Sequence, residues 1–134
     1  AGYSTTPLCK KLGLKEEMSV FVQHAPTEYF AWLSPLPDSI SIKERLSTTL
    51  DFIHLFTGNR KEFESSFLKA KKHLKPTGML WISWPKKSAK VKTSLNENLI
   101  RDFGLDNGLV DTKVCAVDET WSGLKFVYRL KDRT

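Results

Sequence analysis

A nearly unbroken apolar segment, Gly78-Met79-Leu80-Trp81-Ile82-Ser83-Trp84, lies between Pro76 and Pro85 and constrains the fold more than any other feature. A run this short, held between two prolines, reads as a strand covered on both faces. Strands of that kind belong to mostly parallel sheets packed between helices. Upstream, His73-Leu74-Lys75-Pro76-Thr77-Gly78 reads as a helix end and a Pro/Gly turn. Downstream, Pro85-Lys86-Lys87 opens a basic loop at the strand's carboxyl end. In open α/β sheets the loops after the strands form the ligand site.

The flanking sequence supplies the other elements. Met18-Ser19-Val20-Phe21-Val22-Gln23 is rich in β-formers and reads as the first central strand. Pro26 suits the first turn of a helix whose apolar side is Tyr29, Phe30, Trp32 and Leu33, and Pro35 and Pro37 stop it. Ile40-Ser41-Ile42 is a short second strand, and Asp51-Phe52-Ile53-His54-Leu55-Phe56 is the third. Asn59 followed by Glu62 makes a capping-box-like start to a helix with Phe63, Phe67, Ala70 and Leu74 along one face. Lys71, Lys72 and His73 fall in its last turn, where the helix dipole favours positive charge.

After a loop over residues 85–93, Ser94 and Glu97 predict a second capping box. The helix that follows turns Leu95, Leu99, Ile100 and Phe103 inward and stops at Gly104. Residues 109–117 and 124–130 are strands with so short a connection that they must be antiparallel. Residues 1–17 read as a leader packed on the domain. The order β-α-β-β-α-β-α-β-β predicts one domain over residues 1–134. It is a three-layer, Rossmann-like α/β fold with a mostly parallel sheet and a C-terminal antiparallel hairpin.

Composition bounds the function only loosely. A chain of 134 residues can bury a core without disulfide staples. Its net charge of +6 is compatible with phosphate or nucleic-acid partners and demands neither. The charge gathers in residues 69–75, residues 86–92 and, weakly, Lys10-Lys11, and a solvated surface is the plainer account of such runs. No apolar run reaches the roughly 18 to 20 residues of a membrane span. The start lacks the basic-then-apolar pattern of a secretory signal. Cys9 and Cys115 are too few for a disulfide framework, so a reducing cytoplasm is the expected compartment.

The succession of strand, helix, Leu74-Lys75-Pro76-Thr77-Gly78 turn, strand, helix and closing hairpin resembles the second half of a class I methyltransferase fold. The stretch between Ile42 and Asp51 is too short for a helix plus a strand, so one edge of the usual sheet is expected to be trimmed. The whole chain also resembles a bacterial domain family of unknown function. The blocks that carry this are Tyr3-Ser4-Thr5-Thr6-Pro7-Leu8, Lys10-Lys11-Leu12-Gly13, Leu80-Trp81-Ile82-Ser83-Trp84-Pro85-Lys86-Lys87, and Gly108-Leu109-Val110-Asp111-Thr112-Lys113-Val114-Cys115-Ala116-Val117-Asp118-Glu119-Thr120-Trp121-Ser122-Gly123-Leu124-Lys125. That resemblance implies no activity.

The methyltransferase resemblance implies an S-adenosylmethionine site after the first strand, built on glycines that let the backbone approach the ligand. Here that place reads Gln23-His24-Ala25-Pro26-Thr27, with no glycine, and Pro26 removes one N–H donor. Glu44 stands where an acidic residue could bind a ribose. The reading is therefore of a domain without a cofactor, with S-adenosylmethionine as the alternative. Lys86, Lys87, Ser88 and Lys90, with Thr57 and Asn59 from the neighbouring strand end, are the candidate anion site. The helix start at Ser94 is expected to add N–H donors to it.

His24, just after a strand end, is the candidate for acid–base work. His54, inside an apolar strand, reads as a satisfied core histidine. Cys115 reads as an inert strand thiol, and burial in a strand accounts for Trp81 and Trp84 better than base stacking does. The turn from Asp118 to Gly123 is turn chemistry with an aromatic that could fold over the same crest. P-loop, G-x-G-x-x-G, G-x-S-x-G, H-E-x-x-H and paired C-x-x-C motifs are absent, and no zinc-ligand spacing is present. The expected function is a non-catalytic module binding an anionic small molecule or protein segment at a basic crest. A methyltransferase with a degenerate donor loop, or a nucleic-acid binder using the lysine clusters, are the alternatives.

Overall fold

The computed structural model describes residues 7–133; residues 3–6 of the first resemblance block lie outside them. Its elements are α1 (Leu8–Leu12), β1 (Ser19–Gln23), α2 (Tyr29–Leu33), β2 (Ser41–Lys43), β3 (Leu50–Phe56), α3 (Arg60–His73), β4 (Leu74–Pro85), α4 (Glu97–Asp106), β5 (Leu109–Ala116) and β6 (Trp121–Tyr128). The six strands form one sheet in the order β2-β1-β3-β4-β6-β5. The first four are parallel, and β6 runs antiparallel between β4 and β5. No helix lies between β2 and β3, which is the trimmed edge expected from the sequence.

Alternation along the central strands divides the core into two layers. Ile53, Leu55, Leu80 and Ile82 point to one face and pack with Phe63, Phe67 and Ile100 of α3 and α4. Phe52, Phe56, Met79 and Trp81 point to the other and pack with Leu12, Tyr29 and Leu33 of α1 and α2. Side chains on a strand alternate with period two, so both faces must be apolar if both are covered. Near the start of the described residues Cys9, Leu12 and Leu14 are buried, and the Leu12 carbonyl accepts a 2.8 Å hydrogen bond from Trp81 Nε1.

α3 starts as its sequence predicts. The Asn59 side chain accepts a hydrogen bond from Glu62 N at 3.1 Å, satisfying one of the unpaired first-turn donors. Asn59→Ala is expected to lower stability by about 1 kcal/mol; denaturant titration that leaves the midpoint unmoved would show that the cap is idle.

Three local expectations are corrected. The Leu74-Lys75-Pro76-Thr77-Gly78 segment is not a turn; β4 begins at Leu74, directly after α3. Pairing passes from Leu50↔Leu74 to Phe52↔Met79, so Asp51 alone stands opposite residues 75–78, a wide irregularity in the ladder. Asp51 holds it, accepting from Ser19 N at 2.9 Å and pairing with Lys75 Nζ at 3.1 Å. The second helix is capped by Asn96, which accepts from Leu99 N at 2.9 Å, rather than by Ser94. It also runs past Gly104 to Asp106; Gly104 sits within the helix at the point where Phe126 presses against it.

Candidate functional site

The carboxyl ends of β1 to β4 form one crest. The chain leaves β1 for β2 on one side, while β3 lies on its other side, so β1 and β3 flank a topological switch point. Ligands of open α/β sheets bind in the crevice at such a point.

At the end of β1, His24 adopts a left-handed conformation, φ 56°. The sharp bend that a glycine would make is made here by histidine, one of the residue types that tolerates this region. The loop is tied to α3: Gln23 Nε2 donates to Ser66 Oγ at 2.8 Å, and His24 Nδ1 lies 3.6 Å from Glu62 Oε1, with both His24 and Glu62 exposed. Glu44 directly follows β2 and is exposed; the register Phe21↔Lys43 sets it beside the end of β1. Among the described residues it forms no ion pair.

The proposed anion-binding residues have local partners. Thr57 is buried, and its hydroxyl accepts from Asn59 N at 3.4 Å. The Asn59 side chain is the α3 cap. Ser94 Oγ accepts from Arg60 N at 2.9 Å, and Thr93 Oγ1 donates to Gly58 O at 2.8 Å. Ser94 thus supplies a second cap to α3 instead of opening its own helix. Lys86 N donates to Thr120 O at 2.8 Å, which joins the basic loop to the β5–β6 turn. Ser88 is exposed in a short 3-10 turn, Lys87–Ala89, that ends at Lys90 with φ 56°.

The β5–β6 turn is shorter than expected: Trp121, Ser122 and Gly123 already belong to β6, with Trp121 opposite Pro85. Only residues 117–120 connect β5 to β6, at the crest end of β4. Asp118 Oδ1 accepts from Thr120 N and Trp121 N at 3.0 and 2.7 Å. The Trp121 ring meets Phe56, the last residue of β3, edge-on at 5.2 Å. Cys115 is half-buried; burial pushes its thiol pKa up, against an opposite pull from Lys11, Lys113 and Lys86. A raised pKa leaves little thiolate, in keeping with an inert thiol.

Below the crest lies a buried polar chain that the sequence only half announced. His54 Nδ1 is 2.8 Å from Tyr29 Oη, and His54 Nε2 is 2.7 Å from Ser83 Oγ. All three are buried. A neutral imidazole donates from one nitrogen and accepts at the other, and hydroxyls can complement either. Burial drives the His54 pKa down to about 3 and raises that of Tyr29, so both stay uncharged. The core-histidine reading of His54 holds. Its partners lie 25 and 29 residues away in sequence, on α2 and β4, and no local pattern could have named them.

With this geometry the molecule has a class I methyltransferase-like Rossmann fold. The fibrillarin of Aeropyrum pernix, solved with natively bound S-adenosyl-L-methionine, is 13% identical and aligns with a TM-score of 0.60 over 94% of this chain and 70% of that one. The magnesium protoporphyrin IX methyltransferase of Synechocystis PCC 6803, with bound SAH, is 11% identical, with a TM-score of 0.59 over 91% and 78%. A methyltransferase from Pyrococcus furiosus is 13% identical, with a TM-score of 0.55 over 89% and 79%. Likenesses at this identity concern the fold alone. No protein-family model matches the chain, and no curated protein matches its sequence. Among the described residues no helix is long and apolar enough to cross a membrane, and no group of three potential metal ligands comes together.

Proposed function

We propose that this domain binds an S-adenosyl compound at the switch point between β1 and β3. The observation that carries the reading is the β1 loop itself, bent at His24 in the left-handed region where the fold calls for a glycine-like turn. The absence of glycine from Gln23-His24-Ala25-Pro26-Thr27 therefore does not prevent the loop from turning. Glu44, exposed beside it and without an ion-pair partner among the described residues, is suited to accept hydrogen bonds from ribose hydroxyls. The ligands carried by the fibrillarin and the Synechocystis enzyme support the same class of compound. S-adenosylmethionine, when bound, supplies an activated methyl group; this chain's residues orient and enclose it.

Calorimetric titration of the folded domain with S-adenosylmethionine and S-adenosylhomocysteine is expected to give saturable, roughly micromolar binding, which Glu44→Gln weakens about tenfold. No heat from a folded sample, or unchanged affinity in the variant, removes the proposal. A second reading keeps the basic loop as a non-catalytic crest for an anion. It is favoured by Lys86, Lys87 and Lys90, none of which has a carboxylate partner among the described residues. Alanine at Lys86 and Lys87 then abolishes anion binding and leaves S-adenosyl binding intact. Membership of the bacterial family of unknown function, and a cytoplasmic location, rest on the sequence readings and belong to the same proposal.

A further inference from the structure

A second concentration of positive charge lies on the antiparallel strands, level with Trp81. Lys113 and Lys125 are direct cross-strand partners on β5 and β6, so their side chains share one face of the sheet. Like charges placed directly opposite destabilise a strand pair. A bulge between Asp111 and Lys113 creates the pairing: Asp111 turns to Arg101 on α4 at 2.9 Å, while Thr112 is the additional residue. Bulges re-aim side chains in this way, and they are over-represented beside functional sites.

Thr112 lines a cavity of about 290 Å³ together with Thr77, Gly78, Lys125, Val127 and Arg133. Thr77 and Gly78 begin the apolar part of β4, so the cavity lies at the amino end of that strand, away from the crest. Burial, then Lys113, Lys15 and Arg133, all depress the pKa of Lys125, and no carboxylate counters them. Among the described residues none of these four cations forms an ion pair. Lys113 Nζ donates to a neutral carbonyl, Lys11 O, at 2.9 Å. Arg133 Nε donates to Tyr128 O at 2.8 Å, which leaves the other guanidinium donors for a ligand.

We propose that this cavity is a binding site for a polyvalent phosphate oxyanion of the diphosphate class, held by Lys125 and Arg133 with Thr77 and Thr112 as hydroxyl donors. Lys113 and Lys15 stand close enough to Lys125 to add to the field without lining the cavity. A polyvalent oxyanion neutralises several cations at once and accepts hydrogen bonds from all the donors. A bound monovalent ion would leave most of the repulsion in place. The site is separate from the proposed S-adenosyl crevice.

Calorimetric titration of the domain with sodium pyrophosphate is expected to show saturable binding, tighter than that of inorganic phosphate. Lys125→Met is expected to weaken it about tenfold or more and, being relieved of the lysine opposite, to melt no lower than the wild-type protein in phosphate-free buffer. Arg133→Gln, outside β6, should cause a comparable loss without altering the sheet. Lys61→Gln, exposed on α3, should leave the affinity unchanged. Amide chemical shifts should move at Thr77, Thr112 and Lys125. No heat at millimolar pyrophosphate, undiminished affinity in both Lys125→Met and Arg133→Gln, or shifts confined to residues 86–92 would each overturn the site.

Discussion

Gly104→Ala is expected to lower the stability of the domain by about 3 kcal/mol or to prevent folding altogether. Intrinsic propensity argues the other way, since alanine inside a helix is about 1 kcal/mol better than glycine. Packing decides the sign. A Cβ on Gly104 would stand 2.1 Å from Phe126 Cε1 and 2.6 Å from its Cζ, far inside any real carbon–carbon contact. The ring cannot swing aside, because Phe126 is fully buried and meets Phe67 edge-on at 5.5 Å. α4 would have to lift from the sheet, exposing Ile100 and Leu95. Urea denaturation of the variant tests this, and a midpoint equal to or above the wild type would show that the helix has room to spare. The double variant Gly104→Ala, Phe126→Leu is expected to recover part of the loss, because the two sites share one contact.

The second large effect belongs to His54. Replacing it with leucine removes the partner of two buried hydroxyls, Tyr29 and Ser83. Each stranded buried polar group costs about 1–3 kcal/mol, so a loss of about 3 kcal/mol or more is expected from His54→Leu. The same residue makes the fold sensitive to mild acid. Its folded pKa is depressed from 6.5 to about 3 by burial, so below pH 6.5 the unfolded chain takes up a proton that the folded chain refuses. Stability must therefore fall as the pH drops from 6.5 toward 3. For this one group the step from pH 7 to pH 5 amounts to about 2 kcal/mol. His54→Gln retains hydrogen-bonding groups and cannot titrate, so its stability should fall by about 2 kcal/mol less over that interval. Denaturant curves for both proteins at the two pH values decide the matter; equal losses would mean that His54 titrates alike in the folded and unfolded chains.

Asp51 acts lower on the pH scale. Burial tends to raise its pKa, but hydrogen bonds from Ser19 and the Lys75 ammonium outweigh that and hold it below 3.8. Its stabilisation is present above that value and is lost only as the pH falls further, so it does not contribute to the step between pH 7 and 5.

Much of this architecture could be read from local pattern. The Asn59–Glu62 start of α3, the Phe63/Phe67/Ala70 face and the apolar core of β4 stand where the sequence places them, and the closing hairpin is antiparallel as expected, although β6 begins three residues earlier, at Trp121. The errors share a cause. Leu74-Lys75-Pro76-Thr77-Gly78 carries turn residues, yet it is pulled into the sheet by Leu74 pairing with Leu50 and by Lys75 reaching Asp51. Ser94 has the spacing of a cap, yet its hydroxyl serves the amide of Arg60, 34 residues away. Gly104 looks like a helix stop, yet it is a point of contact with Phe126.

The candidate site divides along the same line. The loss of glycine after β1 was legible, but the left-handed bend at His24 was not, because one sequence does not announce a strained backbone at a non-glycine residue. The basic crest was legible as charge. The cluster of Lys113, Lys125, Lys15 and Arg133 was not, since those residues lie far apart along the chain and no run of charge marks them.

By itself, the sequence determined where most of the strands and helices lie, and that the central strands are buried on both faces. Those properties follow from side-chain periodicity, proline and glycine sterics and capping hydrogen bonds, all of which act within a few residues. Tertiary structure alone decided that Tyr29 and Ser83 close on His54, that β1 and β3 flank the switch point, and that Lys113 faces Lys125 next to a bulge. Strand order and register bring together residues separated by tens of positions. A one-residue slip in register turns a side chain to the opposite face, so such contacts depend on the pairing of the whole sheet and not on any local stretch of the chain.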